Sequence, residues 1–591
     1  MQLLNKPTRY MFFTGKGGVG KTSVACATAV NLADSGKNVL LVSTDPASNL
    51  SDVLGFEVGT SSTVAPELPT LSVMNIDPEA AASTYRDRVI GPYREKLGQA
   101  AVQSMEEQLS GACTTEIAAF DEFTSILIGK ADFGDFDHIL FDTAPTGHTI
   151  RLLQLPSSWS SFLETNEHGA SCLGPHSGLT KQQEQYMHAV EILSDATKAT
   201  IVLVTRPEFS SIQEADRTAG ELAGLNITNH FLVLNGLLDN QKSEDSLAQA
   251  IMAETESLLE QLPPNLESLP REDLALKPYN ILGVDLLRTF FSAEQDAPEV
   301  SSTEEVPYKT VEAQNLAASV EELGEKDHGL IMVMGKGGVG KTTVAAALAI
   351  GLAKQGKQVH LTTTDPADHI SATVDHDMPG LKVSRIDPAE ETEKYKQHVL
   401  EHSGKDLDED GRALLEEDLR SPCTEEVAVF HAFSRIVSQA RREIVVMDTA
   451  PTGHTLLLLD ATGSYHKDVV RNLKGAGKVV TPLMRLQDRD FTKILLVTLP
   501  ETTPIHEAAA LQDDLRRASI EPYTWVINRS LAASDTQHPI LKQRAQAELP
   551  RIQEVQEHSV NTPCILPWLP ERPIGNANLE KLLTYEAVSV Q

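Results

Sequence analysis

Short apolar runs alternate with longer amphipathic segments along the chain. Residues 10–13 and 330–334 are apolar runs that end at a glycine-rich loop, which predicts two buried strands. The segments after these loops carry apolar residues on a broad face and predict helices. Further strand-like runs occupy 39–43, 139–141, 201–204, 231–234, 359–363, 444–447, 494–497 and 525–527. This alternation predicts an α/β fold in which each mostly parallel sheet carries helices on both faces.

The second part of the chain repeats the first. The segments 13–23, 42–50, 113–123 and 141–155 return in the same order at 333–343, 362–370, 423–433 and 447–461. The first and last pairs read FTGKGGVGKTS with VMGKGGVGKTT, and FDTAPTGHTIRLLQL with MDTAPTGHTLLLLDA. The repeat predicts an N-terminal half at 1–292 and a C-terminal half at 328–591. Residues 293–327 are acidic and poor in large apolar side chains, which indicates a flexible linker.

Composition narrows the classes of function. The 591 residues carry a formal net charge of −33, and such a surface repels nucleic acid and anionic lipid, so neither is expected as a partner. No apolar run approaches the roughly 18 residues that span a bilayer, and the N-terminus lacks a signal-peptide core. We therefore expect a cytoplasmic protein with no membrane span of its own. Five cysteines without a CxxC pair argue against a disulfide framework.

Each half contains the phosphate-loop motif G-x-x-x-x-G-K-[ST], placed between a predicted strand and a predicted helix. The two loops consist of Gly15, Lys16, Gly17, Gly18, Val19, Gly20, Lys21 and Thr22, and of Gly335, Lys336, Gly337, Gly338, Val339, Gly340, Lys341 and Thr342. Glycines allow backbone N–H groups to converge on phosphate oxygens, and the helix presents its positive end to the same anion. The motif predicts ATP as ligand, with Lys21 and Lys341 on the β- and γ-phosphates and Thr22 and Thr342 on Mg²⁺. A glycine-rich structural turn is the alternative.

Four aspartates and two asparagines follow predicted strands. Asp45 and Asp365 lie in TDPA segments, and Asp142 and Asp448 begin the DTAPTGH segments. Carboxylates at strand ends can hold Mg²⁺ or its water and orient the attacking water, whereas helix capping is their ordinary structural role.

The form GKGGVGKT resembles the deviant Walker A signature of a large class of ATPases. The resemblance implies that Lys16 and Lys336 reach across an interface to the partner's nucleotide, so that the halves pair head to head as a pseudo-dimer. It also assigns Asp45 and Asp365 to the switch near the attacking water and Asp142 and Asp448 to the Walker B position. Asn235 and Asn528 match the asparagine that binds adenine in this class. A surface lysine and a turn asparagine are the alternatives.

Taken together, both loops, both DTAPTGH segments and the sequences CTTEIAAF and CTEEVAVF closely resemble the ATPase subunit family of arsenite efflux pumps. That resemblance implies hydrolysis activated by As(III) or Sb(III), which three cysteine thiolates bind where the halves meet. The matching thiols are Cys113, Cys172 and Cys423, and soft metalloids favour such ligands. His148, Ser421 and His454 match residues near the metalloid. An integral membrane arsenite carrier is the implied partner, and an arsenic metallochaperone a further one.

Other interpretations remain open from the residues. Cysteine is often a small buried hydrophobe, and we keep that interpretation for Cys26 and Cys564. His148 and His454 could instead bond to the backbone at a helix start. A related ATPase class targets tail-anchored membrane proteins. Its members have one copy per chain, a CxxC zinc clasp and a methionine-rich groove, whereas this chain has two copies and no CxxC. A partitioning or assembly ATPase of the same P-loop class is the third candidate.

Overall fold

A computed structural model shows two α/β units, one in each half of the chain. It describes residues 2–45, 49–94, 112–129, 135–143, 185, 187–238, 243–292, 313–364, 370–375, 378–402, 423–449 and 480–584, with isolated positions between 405 and 419. In this part of the chain an eight-stranded sheet lies in the first half and a seven-stranded sheet in the second.

Most elements of the first half alternate between strand and helix. They are α1 (Gln2–Asn5), β1 (Tyr10–Thr14), α2 (Lys21–Asp34), β2 (Val39–Ser43), α3 (Leu50–Leu54), β3 (Thr63–Ala65), β4 (Leu68–Asn75), α4 (Pro78–Arg94), α5 (Ala112–Leu127), β5 (His138–Asp142), β6 (Ala199–Thr205), α6 (Phe209–Gly224), β7 (His230–Leu237), α7 (Ser246–Glu260), α8 (Pro264–Glu267), β8 (Arg271–Ala275) and α9 (Val284–Arg288). The strand order is β3-β4-β2-β5-β1-β6-β7-β8, and β3 alone runs antiparallel to its neighbour among these strands.

The second half repeats this arrangement. Its elements are α10 (Leu316–Leu323), β9 (Gly329–Met334), α11 (Lys341–Lys354), β10 (Val359–Thr363), α12 (Ile370–Thr373), β11 (Leu381–Arg385), α13 (Pro388–His402), α14 (Cys423–Gln439), β12 (Ile444–Asp448), α15 (Pro482–Leu486), β13 (Thr492–Thr498), α16 (Thr502–Arg517), β14 (Thr524–Ser530), α17 (Pro539–His558), β15 (Cys564–Pro567) and α18 (Asn576–Thr584). The order is β11-β10-β12-β9-β13-β14-β15, all parallel. The predicted fold class is confirmed.

Apolar side chains cover both faces of each sheet. In β1, Phe12 packs into the core on one face and Met11 and Phe13 into the core on the other, because successive side chains of a strand point to opposite faces. Helices cover both faces of a parallel sheet, so its strands are buried on both sides. This burial explains why the strands read as continuous apolar runs in the sequence. The carboxyl ends of β1, β2 and β5 lie side by side, which brings Thr14, Ser43 and Asp142 to one edge.

The two halves share a small apolar core. Leu238 and Leu247 of the first half are buried in one cluster with Leu531 and Leu541 of the second. Ion pairs also join the halves, among them Glu208 with Arg529 at 2.8 Å and Glu254 with Arg572. Apolar contact together with polar pairs is typical of a specific protein interface, so the halves form one packed body.

None of the described helices is long and apolar enough to cross a bilayer.

Candidate functional site

The first phosphate loop connects β1 to α2 and is held by close backbone contacts. Gly20 has a φ of 91°, the left-handed region that favours glycine, and a Cβ there would lie 2.3 Å from Asn235 Nδ2. Asn235 Nδ2 donates to the carbonyl oxygen of Val19 at 2.9 Å. Gly15 passes β6 so closely that a Cβ would lie 2.1 Å from the carbonyl oxygen of Val204. The loop is thereby fixed at the amino end of α2, where the helix dipole attracts anions.

The second loop has the same construction between β9 and α11. Gly340 has a φ of 92°, and Asn528 Nδ2 donates to the carbonyl oxygen of Val339 at 2.9 Å. In both halves the asparagine predicted to contact adenine therefore holds the phosphate loop through its amide nitrogen. Whether it also binds adenine stays a prediction.

A threonine and an aspartate meet beside each loop. Thr22 Oγ1 donates to Asp142 Oδ2 at 2.8 Å, and Thr342 Oγ1 donates to Asp448 Oδ2 at 2.6 Å. Both carboxylates are almost completely buried, and burial raises the pKa of Asp142 to about 6 although Lys21 and Thr22 oppose the shift. The buried Asp142 Oδ1 has no hydrogen-bond partner among the described residues. A hard dication with oxygen preference fits this oxygen and the adjacent hydroxyl, so the residues present are suited to Mg²⁺.

The motif lysines lie folded over their own loops. Lys21 Nζ donates to the carbonyl oxygen of Lys16 at 3.4 Å, and Lys341 Nζ to that of Lys336 at 3.1 Å. Burial lowers the pKa of Lys21, and Asp142 and Asp45 counteract the shift. Each ammonium group is thus desolvated and close to the loop backbone, where it can bind a phosphate oxygen.

The two loops face each other across the boundary between the halves. A Cβ at Gly17 would lie 2.5 Å from the carbonyl oxygen of Gly337, so the loop backbones are in direct contact. The head-to-head arrangement predicted from the duplicated lysine motif is therefore what the structure shows.

Lys336 of the second loop interacts electrostatically with carboxylates of the first half. Its burial lowers the pKa, but Glu507, Asp45 and Asp142 raise it by more, so the net shift is upward. Lys336 forms an ion pair with Glu507. Burial raises the pKa of Glu208, but the positive charges nearby lower it by more. Arg529 makes the largest of these contributions, and Lys16 makes a smaller one.

The structure leaves part of the predicted metalloid site undescribed. Cys113 and Cys423 lie at the starts of α5 and α14, of which the structure gives the backbone at these positions. The other predicted residues that lie outside the described part of the chain are Asp365, Cys172, His148, Ser421 and His454. Their roles stay predictions.

Cys26 and Cys564 are buried thiols, as their interpretation as small hydrophobes predicts. Burial raises the pKa of both thiols, that of Cys564 to about 11. Cys564 Sγ lies 3.1 Å from Ser319 Oγ in the core of the second half. Neither thiol therefore deprotonates readily to the reactive thiolate.

Asn49 and Glu507 lie beside the first loop, although no sequence motif indicated them. Asn49 Nδ2 donates to Glu507 Oε1 at 2.5 Å, between residues 458 positions apart. The two halves differ at many positions, so the exchange of Asn49 for His369 in the second half does not by itself indicate a function.

Comparison with known proteins agrees with this architecture. A family model described as anion-transporting ATPase matches residues 8–293, 328–486 and 462–585. The chain belongs to the anion-transporting ATPase family. Within this family it is similar to the arsenical pump-driving ATPase of Acidiphilium multivorum, with 54% identity over 585 residues that cover 99% of this chain and all of the relative.

Two further relatives show how much of the chain each kind of family member covers. An arsenical pump-driving ATPase of Escherichia coli is 53% identical over 98% of this chain and 100% of its own length. The ATPase GET3 of Zygosaccharomyces rouxii is 32% identical over 49% of this chain and 90% of its own length. The pump-driving relatives therefore share both halves, whereas GET3 corresponds in length to about one.

Proposed function

We propose that this anion-transporting ATPase hydrolyses ATP in response to As(III) or Sb(III) and energises arsenite extrusion, which gives arsenite resistance. The observation that carries the proposal is the similarity to arsenical pump-driving ATPases along the whole chain, at 54% identity. A partner must supply the membrane passage, and an integral membrane arsenite carrier is the proposed one. The ATPase would work in the cytoplasm at the inner face of the membrane, and an arsenic metallochaperone would deliver the metalloid.

The nucleotide chemistry follows from the loop geometry. Backbone N–H groups of each loop and the start of α2 or α11 bind the phosphates of ATP, and Lys21 and Lys341 pair with the β- and γ-oxygens. Thr22 and Asp142, and Thr342 and Asp448, would hold Mg²⁺, which neutralises charge on the phosphates when bound.

Beyond the phosphates, the neighbouring half completes each site. Asp45 and Asp365 are proposed to orient the attacking water. Lys336 and Lys16 are proposed to stabilise the negative charge that develops in the site of the opposite half. Because the loops touch at Gly17 and Gly337, closure of one site closes the other as well. The division into halves at 1–292 and 328–591, with a linker at 293–327, is part of this proposal.

Metalloid binding would act through the two helices that carry cysteines in their first turns. Cys113 is the second residue of α5, and Phe123 in the same helix packs edge-on against Phe141 of β5 with ring centroids 5.0 Å apart. Phe141 stacks on Phe12 of β1 at 4.8 Å. These two strands lead to Asp142 and to the first phosphate loop, so a shift of the helix start is transmitted to the nucleotide site by packed aromatic rings.

The second half has a comparable connection. Cys423 opens α14, whose Phe433 is buried in one core with Met332 of β9 and Met447 of β12. Joining Cys113, Cys172 and Cys423 around one soft ion would pull both helix starts toward the interface, with His148, Ser421 and His454 nearby. We infer from this arrangement that binding of the metalloid favours the closed state in which both nucleotides are hydrolysed.

The rate of ATP hydrolysis with and without antimonite tests the proposal. A marked increase on addition of antimonite or arsenite to the purified chain is expected. The alternative function, targeting of tail-anchored membrane proteins, predicts no increase and instead tight binding of a synthetic hydrophobic helix. Measuring both with the same preparation separates the two functions, and an unchanged rate would overturn the proposed one.

A further inference from the structure

A buried cluster joins the second half to the first nucleotide site. Lys336 and Glu507 form an ion pair in which their side chains are 15% and 5% exposed. Glu507 Oε1 also accepts the hydrogen bond from Asn49 Nδ2 at 2.5 Å. Asn49 directly precedes α3, four residues after Asp45 in the chain. One carboxylate oxygen therefore bonds both to the lysine that faces the first site and to the segment that follows the switch aspartate.

A second contact anchors the same two elements. His506, the neighbour of Glu507 in α16, has its Nδ1 3.0 Å from Asp52 Oδ2 in α3, and its Nε2 lies 3.4 Å from Glu554. Two successive residues of α16 thus bond to α3 and to the residue that directly precedes it. Two such contacts fix the orientation of α16 relative to the switch segment.

The residue types at the corresponding positions of the other side differ in part. Glu214 occupies the position of Glu507, the same number of residues after the helix N-cap, and it pairs with Arg217 in its own helix. The residues that correspond to Asn49, Asp52 and His506 are His369, Ala372 and Gln213. Ala372 has no side-chain group that could replace the oxygen of Asp52 in its hydrogen bond with His506. The residue types around the two nucleotide sites therefore differ.

We propose that Glu507 is a positioning residue for hydrolysis at the first nucleotide site. It holds Lys336 toward the phosphates, and its bond to Asn49 fixes Lys336 relative to the segment that follows Asp45. A lysine side chain loses conformational entropy when it is held in one rotamer. The ion pair with buried Glu507 holds Lys336 in place before ATP binds, so this entropy is not lost on binding of ATP. The ammonium group has three donors, so it can keep its bond to Glu507 while it donates to a phosphate oxygen. This inference rests on the proposed function, because it concerns the site that the metalloid is proposed to activate.

Glu507→Gln tests the inference, with Glu221→Gln as the control at an exposed glutamate of α6, where the side chain is 38% exposed. The glutamine keeps an oxygen for Asn49 and removes the charge that holds Lys336. We expect the metalloid-stimulated kcat to fall about tenfold or more, as misplacement of a catalytic group does, while KM for ATP changes little. Glu221→Gln should stay near the wild-type rate. An unchanged kcat in Glu507→Gln, or an equal loss in both variants, would overturn the inference.

A double-mutant cycle separates positioning from a general effect on folding. If Glu507 acts through Lys336, adding Glu507→Gln to Lys336→Gln causes no further loss of kcat. Losses that multiply would contradict the inference. Asn49→Ala offers a second probe should Glu507→Gln not fold, with a smaller loss of kcat expected and an unchanged kcat contradicting the role. If antimonite fails to stimulate the wild-type chain, the proposed function is refuted, and the same cycle on basal turnover still decides the role of Glu507.

Discussion

Gly17 of the first phosphate loop lies directly against Gly337 of the second, so closely that a Cβ on Gly17 would be 2.5 Å from the carbonyl oxygen of Gly337. Two motifs 320 positions apart in the sequence are thus neighbours in the fold. Because the contact is between backbones, it leaves no flexible side chain to move aside. The site is therefore a property of both halves together.

Gly17→Ala should weaken the contact between the halves. The added methyl group meets backbone, and overpacking of this kind costs about 1–3 kcal/mol. We expect a lower Tm and a loss of ATPase activity, measured by calorimetry and phosphate release. Gly91→Ala is the control, because Gly91 lies in α4 with nothing within 4 Å of an added Cβ. Equal behaviour of the two variants would contradict the close approach.

Lys21→Gln and Lys341→Gln should each reduce metalloid-stimulated hydrolysis. Each lysine is buried beside its loop, and its loss removes a positive charge from the γ-phosphate in a water-poor site. Removing one such donor costs about 100-fold or more in kcat. Steady-state ATPase assays with antimonite test this, with circular dichroism to verify folding. Stimulated rates near normal in both variants would show that two working sites are not needed.

Phe123→Leu should weaken the coupling between metalloid and nucleotide. The substitution keeps an apolar side chain but removes the edge-on contact with Phe141, so the core loses about 1.5 kcal/mol or less. We expect the ratio of stimulated to basal turnover to fall while basal turnover persists. Phe290→Leu is the control, since Phe290 is buried in the core on the opposite face of the sheet. A ratio that falls equally in both variants would argue against transmission through α5.

Protonation of His360 should disfavour the folded state as the pH drops from 7.5 to 5.5, whereas protonation of Asp142, whose pKa burial raises to about 6, acts in the opposite direction. Burial, with a contribution from Lys382, lowers the pKa of His360, whose Nε2 lies 2.8 Å from Ser384 Oγ. The unfolded chain binds a proton near pH 6.5 whereas the folded chain does not, so this contribution is present above that pH and is lost below it.

His360→Gln tests the pH effect. We compare the change in Tm between pH 7.5 and pH 5.5 for the variant and the wild type. At pH 5.5 the Tm of the variant, relative to its value at pH 7.5, should be about 1–3 °C more favourable than that of the wild type. The exposed His402 in α13 provides the control variant His402→Gln, which should follow the wild type. A variant with the full pH dependence would show that His360 does not contribute.

The parallel sheets and the loops follow from local sequence patterns, because apolar runs and the G-x-x-x-x-G-K-[ST] motif carry their own structural requirements. The pairing of Thr22 with Asp142 follows less directly, since it requires knowing that β1 and β5 are neighbours in the sheet. Asn235 shows a limit of motif comparison: its amide nitrogen holds the carbonyl oxygen of Val19, a contact that adenine binding does not predict.

The cluster of Asn49, Glu507 and Lys336 could not be predicted from the sequence. Glu507 in the amino-terminal part of α16 has the same residue type as Glu214 in α6, and its contact with Asn49 depends on how the halves approach each other. Likewise, Arg529 has a φ of 54° where the first half has Gly236, and its side chain pairs with Glu208 of the other half. Such long-range contacts depend on how the halves pack, which no local pattern specifies.

The central claim is that thiols from both halves bind a metalloid and thereby accelerate hydrolysis at the facing loops. The most direct measurement is the antimonite-stimulated ATPase rate of a chain in which Cys113, Cys172 and Cys423 are all replaced by serine. We predict that this variant keeps its basal turnover and gains nothing from antimonite, whereas the wild type is strongly stimulated. Stimulation of the serine variant to the wild-type rate would contradict the account.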